Sequence, residues 1–125
     1  ITLQQGVDFV LSSLDMMRGG EIFIPKIPSM KISDLAEAMA PGVAHKLIGI
    51  RPGEKLHEVM LTEDDGRNTV VFPDRYIIEP RPVVQAGKLL REGAAQVDEG
   101  FRYSSDSNTE WLDAEGLREL ISQPD

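Results

Sequence analysis

A chain of 125 residues suits one domain, residues 1–125 with no second unit, long enough to bury a core. A net charge of −8, from 21 acidic against 13 basic residues, argues against general nucleic-acid or anionic-membrane binding, so any anion must be captured by local geometry at a few cations. The lack of cysteine excludes disulfides and thiolate metal sites, no apolar run approaches the roughly 20 residues of a membrane span, and the N-terminus lacks the basic-then-apolar order of a signal peptide, so a reducing, cytoplasmic setting is expected.

Thr2 with Gln5 makes a capping-box start, Leu3, Val7, Val10, Leu11 and Leu14 fall on one helical face, and Gly19-Gly20 supplies a stop, so a helix is predicted over residues 3–17. Glu21-Ile22-Phe23-Ile24-Pro25 reads as a short strand, limited by Pro25 and Pro28. Ile32, Leu35, Ala36 and Met39 mark a second helix that ends at Pro41-Gly42, and the apolar run Lys46-Leu47-Ile48-Gly49-Ile50 reads as a second strand. That order predicts a βαβ unit with a parallel pair, and hence an α/β fold. Ligands in such units sit beyond the carboxyl ends of the strands, which sets Lys26 and Arg51 at one rim.

Arg51 is followed by the Pro52-Gly53 turn and by a helical pattern at Leu56, Val59 and Met60. An arginine beside a helix N-terminus is an anion site, because the guanidinium offers paired charge-assisted hydrogen bonds and unpaired N–H groups point the same way. The plainer alternative is that Arg51 pairs with an acidic neighbour. Further on, Thr69-Val70-Val71-Phe72 and Tyr76-Ile77-Ile78 are strands joined by a turn at Pro73-Asp74-Arg75; residues 86–95 read as a short helix, and residues 113–122 as a last one with Leu117, Leu120 and Ile121 on its apolar face.

Other candidates have plain readings. His57 lacks a cysteine, second histidine or serine partner and reads as a helix-face or capping residue; His45 reads as a surface residue leading a strand. Asp64-Asp65 lacks the ligand spacing of a calcium loop and reads as a turn cap, so no metal site is expected. Lys26 can reach a phosphate or pair with an acid. Residues 103–111 are polar and aromatic, as a uridine or sugar rim is, but the favoured reading is a Ser/Asn-rich turn with Trp111 anchoring the last helix in the core. No G-x-x-G-x-x-G or G-x-G-x-x-G fingerprint and no Tyr-x-x-x-Lys occur, because Pro80 stands four residues after Tyr76 and Ser107 four after Tyr103.

A longer pattern adds to these readings. Phe23-Ile24-Pro25-Lys26-Ile27-Pro28-Ser29-Met30-Lys31-Ile32-Ser33-Asp34-Leu35-Ala36, then Ile48-Gly49-Ile50-Arg51-Pro52-Gly53-Glu54-Lys55-Leu56-His57-Glu58-Val59-Met60, strongly resembles the C-terminal portion of C5-inverting UDP-N-acetylglucosamine 4,6-dehydratases. These are extended short-chain dehydrogenase/reductases that open the pseudaminic-acid pathway of bacterial surface glycosylation. The resemblance continues through Tyr76-Ile77-Ile78-Glu79-Pro80 and Phe101-Arg102-Tyr103-Ser104-Ser105 to Asn108-Thr109-Glu110-Trp111-Leu112. His57, where C5-retaining relatives usually carry tyrosine, and the Pro25 to Lys31 run favour the inverting group.

The resemblance implies a substrate-binding lobe without its Rossmann cofactor domain. NADP and the catalytic residues would belong to an upstream domain, and this chain would supply no cofactor ligand and no catalytic residue. Arg51 and Glu54 carry over as contacts to the UDP-sugar, Arg51 on the diphosphate side and Glu54 to a hydroxyl-bearing group, and Lys26 joins them as a substrate-binding candidate. Missing its domain partner, the chain should expose an apolar face that favours self-association. The rival readings are an autonomous nucleotide-sugar-binding module and a protein-interaction domain that kept the fold and lost the ligand.

Overall fold

The computed structural model describes residues 1–85, 87–89 and 91–122. Helix α1, Leu3–Met16, begins where its sequence says it should: the Thr2 hydroxyl accepts from the Gln5 N–H, and the Gln5 side chain accepts from the Thr2 N–H. Its chain leaves through Gly19 and Gly20, both at positive φ, into strand β1, Ile22–Pro25. Helix α2, Ile32–Met39, follows.

The next regular element is strand β2, Val59–Leu61, then a single capped turn of helix α3, Glu63–Gly66, and the hairpin of β3, Thr69–Val71, with β4, Arg75–Ile78. Small strands β5, Val84–Gln85, and β6, Lys88–Leu89, pair with each other; β7, Ala95–Gln96, joins the main sheet; β8, Tyr103–Ser104, pairs with β2. Helix α4, Ala114–Ser122, packs against α2 and buries Leu117.

The main sheet runs β1-β4-β3-β7, and every pairing in it is antiparallel. Ile24 faces Tyr76 across β1 and β4, and Val70 faces Ile77 across β3 and β4. Alternation along these strands divides the core. Ile24, Leu61 and Tyr103 gather on one side with Tyr76, Ile78 and Phe101; Val70, Ile77 and Val83 gather on the other with Met16, Phe23, Phe72 and Leu89.

Four expectations are corrected. The βαβ unit does not form: β1 takes an antiparallel partner, and residues 46–50 run as unpaired, exposed chain, with Leu47 96% exposed. β1 is the terminal strand of its sheet and pairs only with β4, while residues 46–50 pair with nothing; an apolar run becomes a strand only where tertiary packing brings it to an edge, which local pattern does not encode. No helix follows Gly53, because the chain there is irregular until β2. Within residues 86–95 the described residues form strand and turn rather than helix, while Ala86 and Leu90 lie outside the described residues. Trp111 is not a core anchor; it is 47% exposed, and its indole N–H is bound at the surface by the Asn108 carbonyl at 2.8 Å.

The mixed helix and sheet character stands, as do the hairpin at residues 69–78 and the terminal helix. Asp65 caps α3 through a reciprocal arrangement with Thr62, which holds its carboxyl below the usual range.

Candidate functional site

Arg51 and Glu54 close on each other around the Pro52-Gly53 turn. The Glu54 N–H donates to the Arg51 carbonyl at 3.0 Å, and Gly53 has φ +86, where a side chain would be strained. Both Glu54 carboxylate oxygens are taken by Arg51, one by its Nε at 2.6 Å and the other by its backbone N–H at 2.7 Å. The Arg51 side chain remains 75% exposed, and its two Nη groups have no hydrogen-bond partner among the described residues.

Two consequences follow for the expected anion site. No helix dipole supports it, so the charge comes from the guanidinium alone. In this arrangement Glu54 orients the guanidinium by holding its Nε edge, while the far edge stays available as a donor fork.

Lys26 sits elsewhere. Its N–H donates to the Asp74 carbonyl at 2.9 Å, and its ammonium lies over the Tyr76 ring, 4.9 Å from the centroid. It borders an open cleft of about 680 Å³ with Phe9, Ser12, Arg75, Leu112 and Glu119, a cleft that neither Arg51 nor Glu54 lines. Without a parallel strand pair, the rim expected to unite Lys26 with Arg51 does not exist.

Arg75, which the sequence placed in a turn, is buried beside this cleft. Its guanidinium stacks on Phe9 at 4.6 Å and is spent on Asp74, Ser12 and Ser13, at 2.7 Å to the Asp74 carboxylate. That hydrogen bond outweighs burial and, with the charges of Arg75 and Lys26, holds the Asp74 carboxyl below its usual range. Period-two counting along β4 puts Arg75 on the face of Ile77, which is the signal that would have found it.

The loop after β1 is clasped by the segment expected to be a simple turn. The Tyr103 hydroxyl accepts from the Ile27 N–H and donates to the Ile27 carbonyl, both at 2.9 Å. The Asn108 amide donates to the same carbonyl at 2.8 Å and to the Ser29 hydroxyl at 3.1 Å. Ser29 then bonds through its backbone to Glu110 at 2.8 Å and to Leu112 at 2.9 Å. Tyr76 packs on Tyr103 and Phe101 beneath, and its hydroxyl is pushed above the ordinary phenol range by burial, with help from Tyr103 and Glu110.

His45 and His57 are both exposed, with no strand at the one and no helix at the other. No group of His, Asp and Glu among the described residues is arranged to hold a metal ion, and no described helix is long and apolar enough to cross a membrane. The described residues do not form the arrangement that holds a dinucleotide such as NADP in a Rossmann unit. Its pyrophosphate needs a glycine turn from a parallel strand into a helix N-terminus, and the main sheet is antiparallel throughout.

The chain matches, over residues 1–80, a family model described as polysaccharide biosynthesis protein. It is 49% identical, over 98% of its length, to inverting UDP-N-acetylglucosamine 4,6-dehydratases from two strains of Campylobacter jejuni, and 32% identical over 97% of its length to a UDP-glucose 4-epimerase from Rickettsia canadensis. The X-ray structure of Pen from Bacillus thuringiensis superposes with a TM-score of 0.77 at 31% identity, covering 97% of this chain and 36% of that one. The chain belongs to the polysaccharide biosynthesis protein family. Within it, the sequence corresponds to the C-terminal part of the inverting UDP-N-acetylglucosamine 4,6-dehydratases and spans 38% of their length.

Proposed function

We propose that this chain is the UDP-sugar-binding part of a C5-inverting UDP-N-acetylglucosamine 4,6-dehydratase, working in the cytoplasm on bacterial surface polysaccharide or flagellin glycans of the pseudaminic-acid type, and that it does not dehydrate sugar by itself. The observation that carries the reading is the identity of 49% across 98% of the chain. The Arg51–Glu54 turn lends it chemistry, since the exposed Nη edge of Arg51 suits the two oxygens of a diphosphate.

NADP, which supplies the hydride chemistry in such an enzyme, belongs in this proposal to a preceding Rossmann domain. The residues here bind and orient. Energy gained at the diphosphate still serves catalysis, because it fixes the distant reacting carbons.

The test is an assay of the purified chain with UDP-N-acetylglucosamine and NADP, beside the same assay on the complete enzyme. No product from the chain and dehydrated sugar from the complete enzyme are expected. Product from the chain alone would overturn the division of labour, and no dehydration by the complete enzyme would overturn the substrate.

A further inference from the structure

The clasp on the β1–α2 loop is built beyond what closing a turn requires. Ile27 and Ser29 flank Pro28, so the chain between them has few conformations to begin with, yet Tyr103, Asn108, Glu110 and Leu112 all bind them. The Ile27 carbonyl takes two donors at once, one from Tyr103 and one from Asn108. What this fixes is the residue just before Ile27.

Lys26 has its N–H on the Asp74 carbonyl, its following peptide gripped by the Tyr103 hydroxyl, and its ammonium over Tyr76, which itself packs on Tyr103. In a chain with 21 acidic residues, that ammonium makes no ion pair within 4 Å among the described residues; it rests on a ring face, and the nearby Asp74 carboxylate that feels its charge is already bonded to Arg75. The neighbouring Arg75 is saturated by Asp74, Ser12 and Ser13. A lysine on an aromatic face keeps N–H groups free for an anion and loses little mobility when one arrives.

We propose that Tyr103 and Asn108 are positioning residues that hold the Ile27 peptide so that Lys26 presents its ammonium to the phosphate of a nucleoside-diphosphate sugar. The inference rests on the proposed function and adds to it a cation site separate from the Arg51 turn. Tyr103 acts through its hydroxyl, because the ring alone would fill the core equally well. Asn108 acts through its amide.

A double-mutant cycle in the complete enzyme tests this, with KM and kcat for UDP-N-acetylglucosamine measured for wild type, Lys26→Ala, Tyr103→Phe and the pair. Lys26→Ala should raise KM very roughly tenfold, the loss of one charge-assisted contact, and Tyr103→Phe should raise it by a smaller factor with kcat unchanged. In the Lys26→Ala background, Tyr103→Phe should add nothing.

An unchanged KM for Tyr103→Phe, or a rise that persists undiminished without Lys26, overturns the positioning role. Normal KM for Lys26→Ala overturns the cation site while leaving the Arg51 reading intact. A wild-type enzyme that does not use UDP-N-acetylglucosamine removes the functional reading and this inference together. Should Tyr103→Phe fail to fold, Asn108→Ala runs the same cycle from the other side of the clasp, without touching the aromatic cluster.

Discussion

At Arg51 the decisive variant keeps the charge and changes its shape. Arg51→Lys replaces a planar fork with a point charge and removes the Nε bond to Glu54, so UDP-N-acetylglucosamine binding by the complete enzyme should weaken by about 1.5–3 kcal/mol, roughly tenfold to a hundredfold. NADP affinity should be unaffected. Calorimetry with both ligands checks the pair of outcomes: equal sugar affinity removes Arg51 from the site, and a matching loss of NADP affinity signals misfolding.

Arg91 has a different role, in stability. It is buried between Glu21, whose side chain is 2% exposed, and Glu79, and it also donates to the Met16 carbonyl at 3.0 Å, tying the end of α1 to β1 and β4. Arg91→Ala would leave Glu21 buried without its cation, which should cost about 3–5 kcal/mol in urea unfolding. Burial pushes the Glu21 carboxyl up, but bonds from its own N–H and those of Gly19 and Arg18, with the charge of Arg91, outweigh it and keep the group below its ordinary 4.5. A depressed carboxyl stabilises the fold above the unfolded value and ceases to do so as pH falls through the folded one. Melting temperature should therefore drop below about pH 4.5 more steeply in wild type than in Glu21→Gln; parallel curves would remove Glu21 as a source of acid sensitivity.

The site residues were unevenly legible. Arg51 and Glu54 stand in one turn, where the strand-then-turn pattern pointed to Arg51 and the resemblance added Glu54; the structure bonds the two to each other. The clasp did not show, because Tyr103 and Asn108 meet Ile27 across 76 and 81 positions of chain. No periodicity encodes such a contact.

Among the elements, those with their own start and stop chemistry were readable. Helix α1 has its capping box, α4 has Leu117 at the buried position, and the β3–β4 hairpin has Pro73-Asp74 at its bend. Pairing partners were not readable, and the βαβ expectation failed there: Ile22 to Ile24 and Lys46 to Ile50 look alike as local strands, and only the first meets an edge. The antiparallel centre also identifies the mechanical heart of the fold. Ile77 is fully buried between β1 and β3, so Ile77→Ala should cost about 2–5 kcal/mol, read as a lower urea midpoint at unchanged slope.

For the molecule as a whole, the outward side of α1 is unusual. Leu3, Val7, Val10, Leu11, Leu14 and Met17 are all exposed, and Leu47, Ile48, Ile50 and Leu56 add further apolar surface. Water penalises such a patch, so the isolated chain should self-associate with rising concentration in sedimentation experiments, and Val10→Lys with Leu11→Glu should suppress this without lowering the melting temperature. In the proposed complete enzyme a preceding domain would cover the same face.

Residues 41–60 are exposed throughout, and both ends of this stretch are tied down, by Glu37 to the Gly42 N–H and by Ser105 to Glu58. Trypsin therefore has free access after Lys46 and Lys55, while Pro52 shields the bond after Arg51. Such cuts leave the two remaining pieces joined by the β1–β4 ladder, the α2–α4 contact and the clasp, none of which depends on the excised stretch. A nicked protein that still migrates as one folded particle would have lost residues 47–55, and with them Arg51. The scaffold and the turn proposed to hold the diphosphate are thus covalently separable, so a protease can remove the second without dismantling the first.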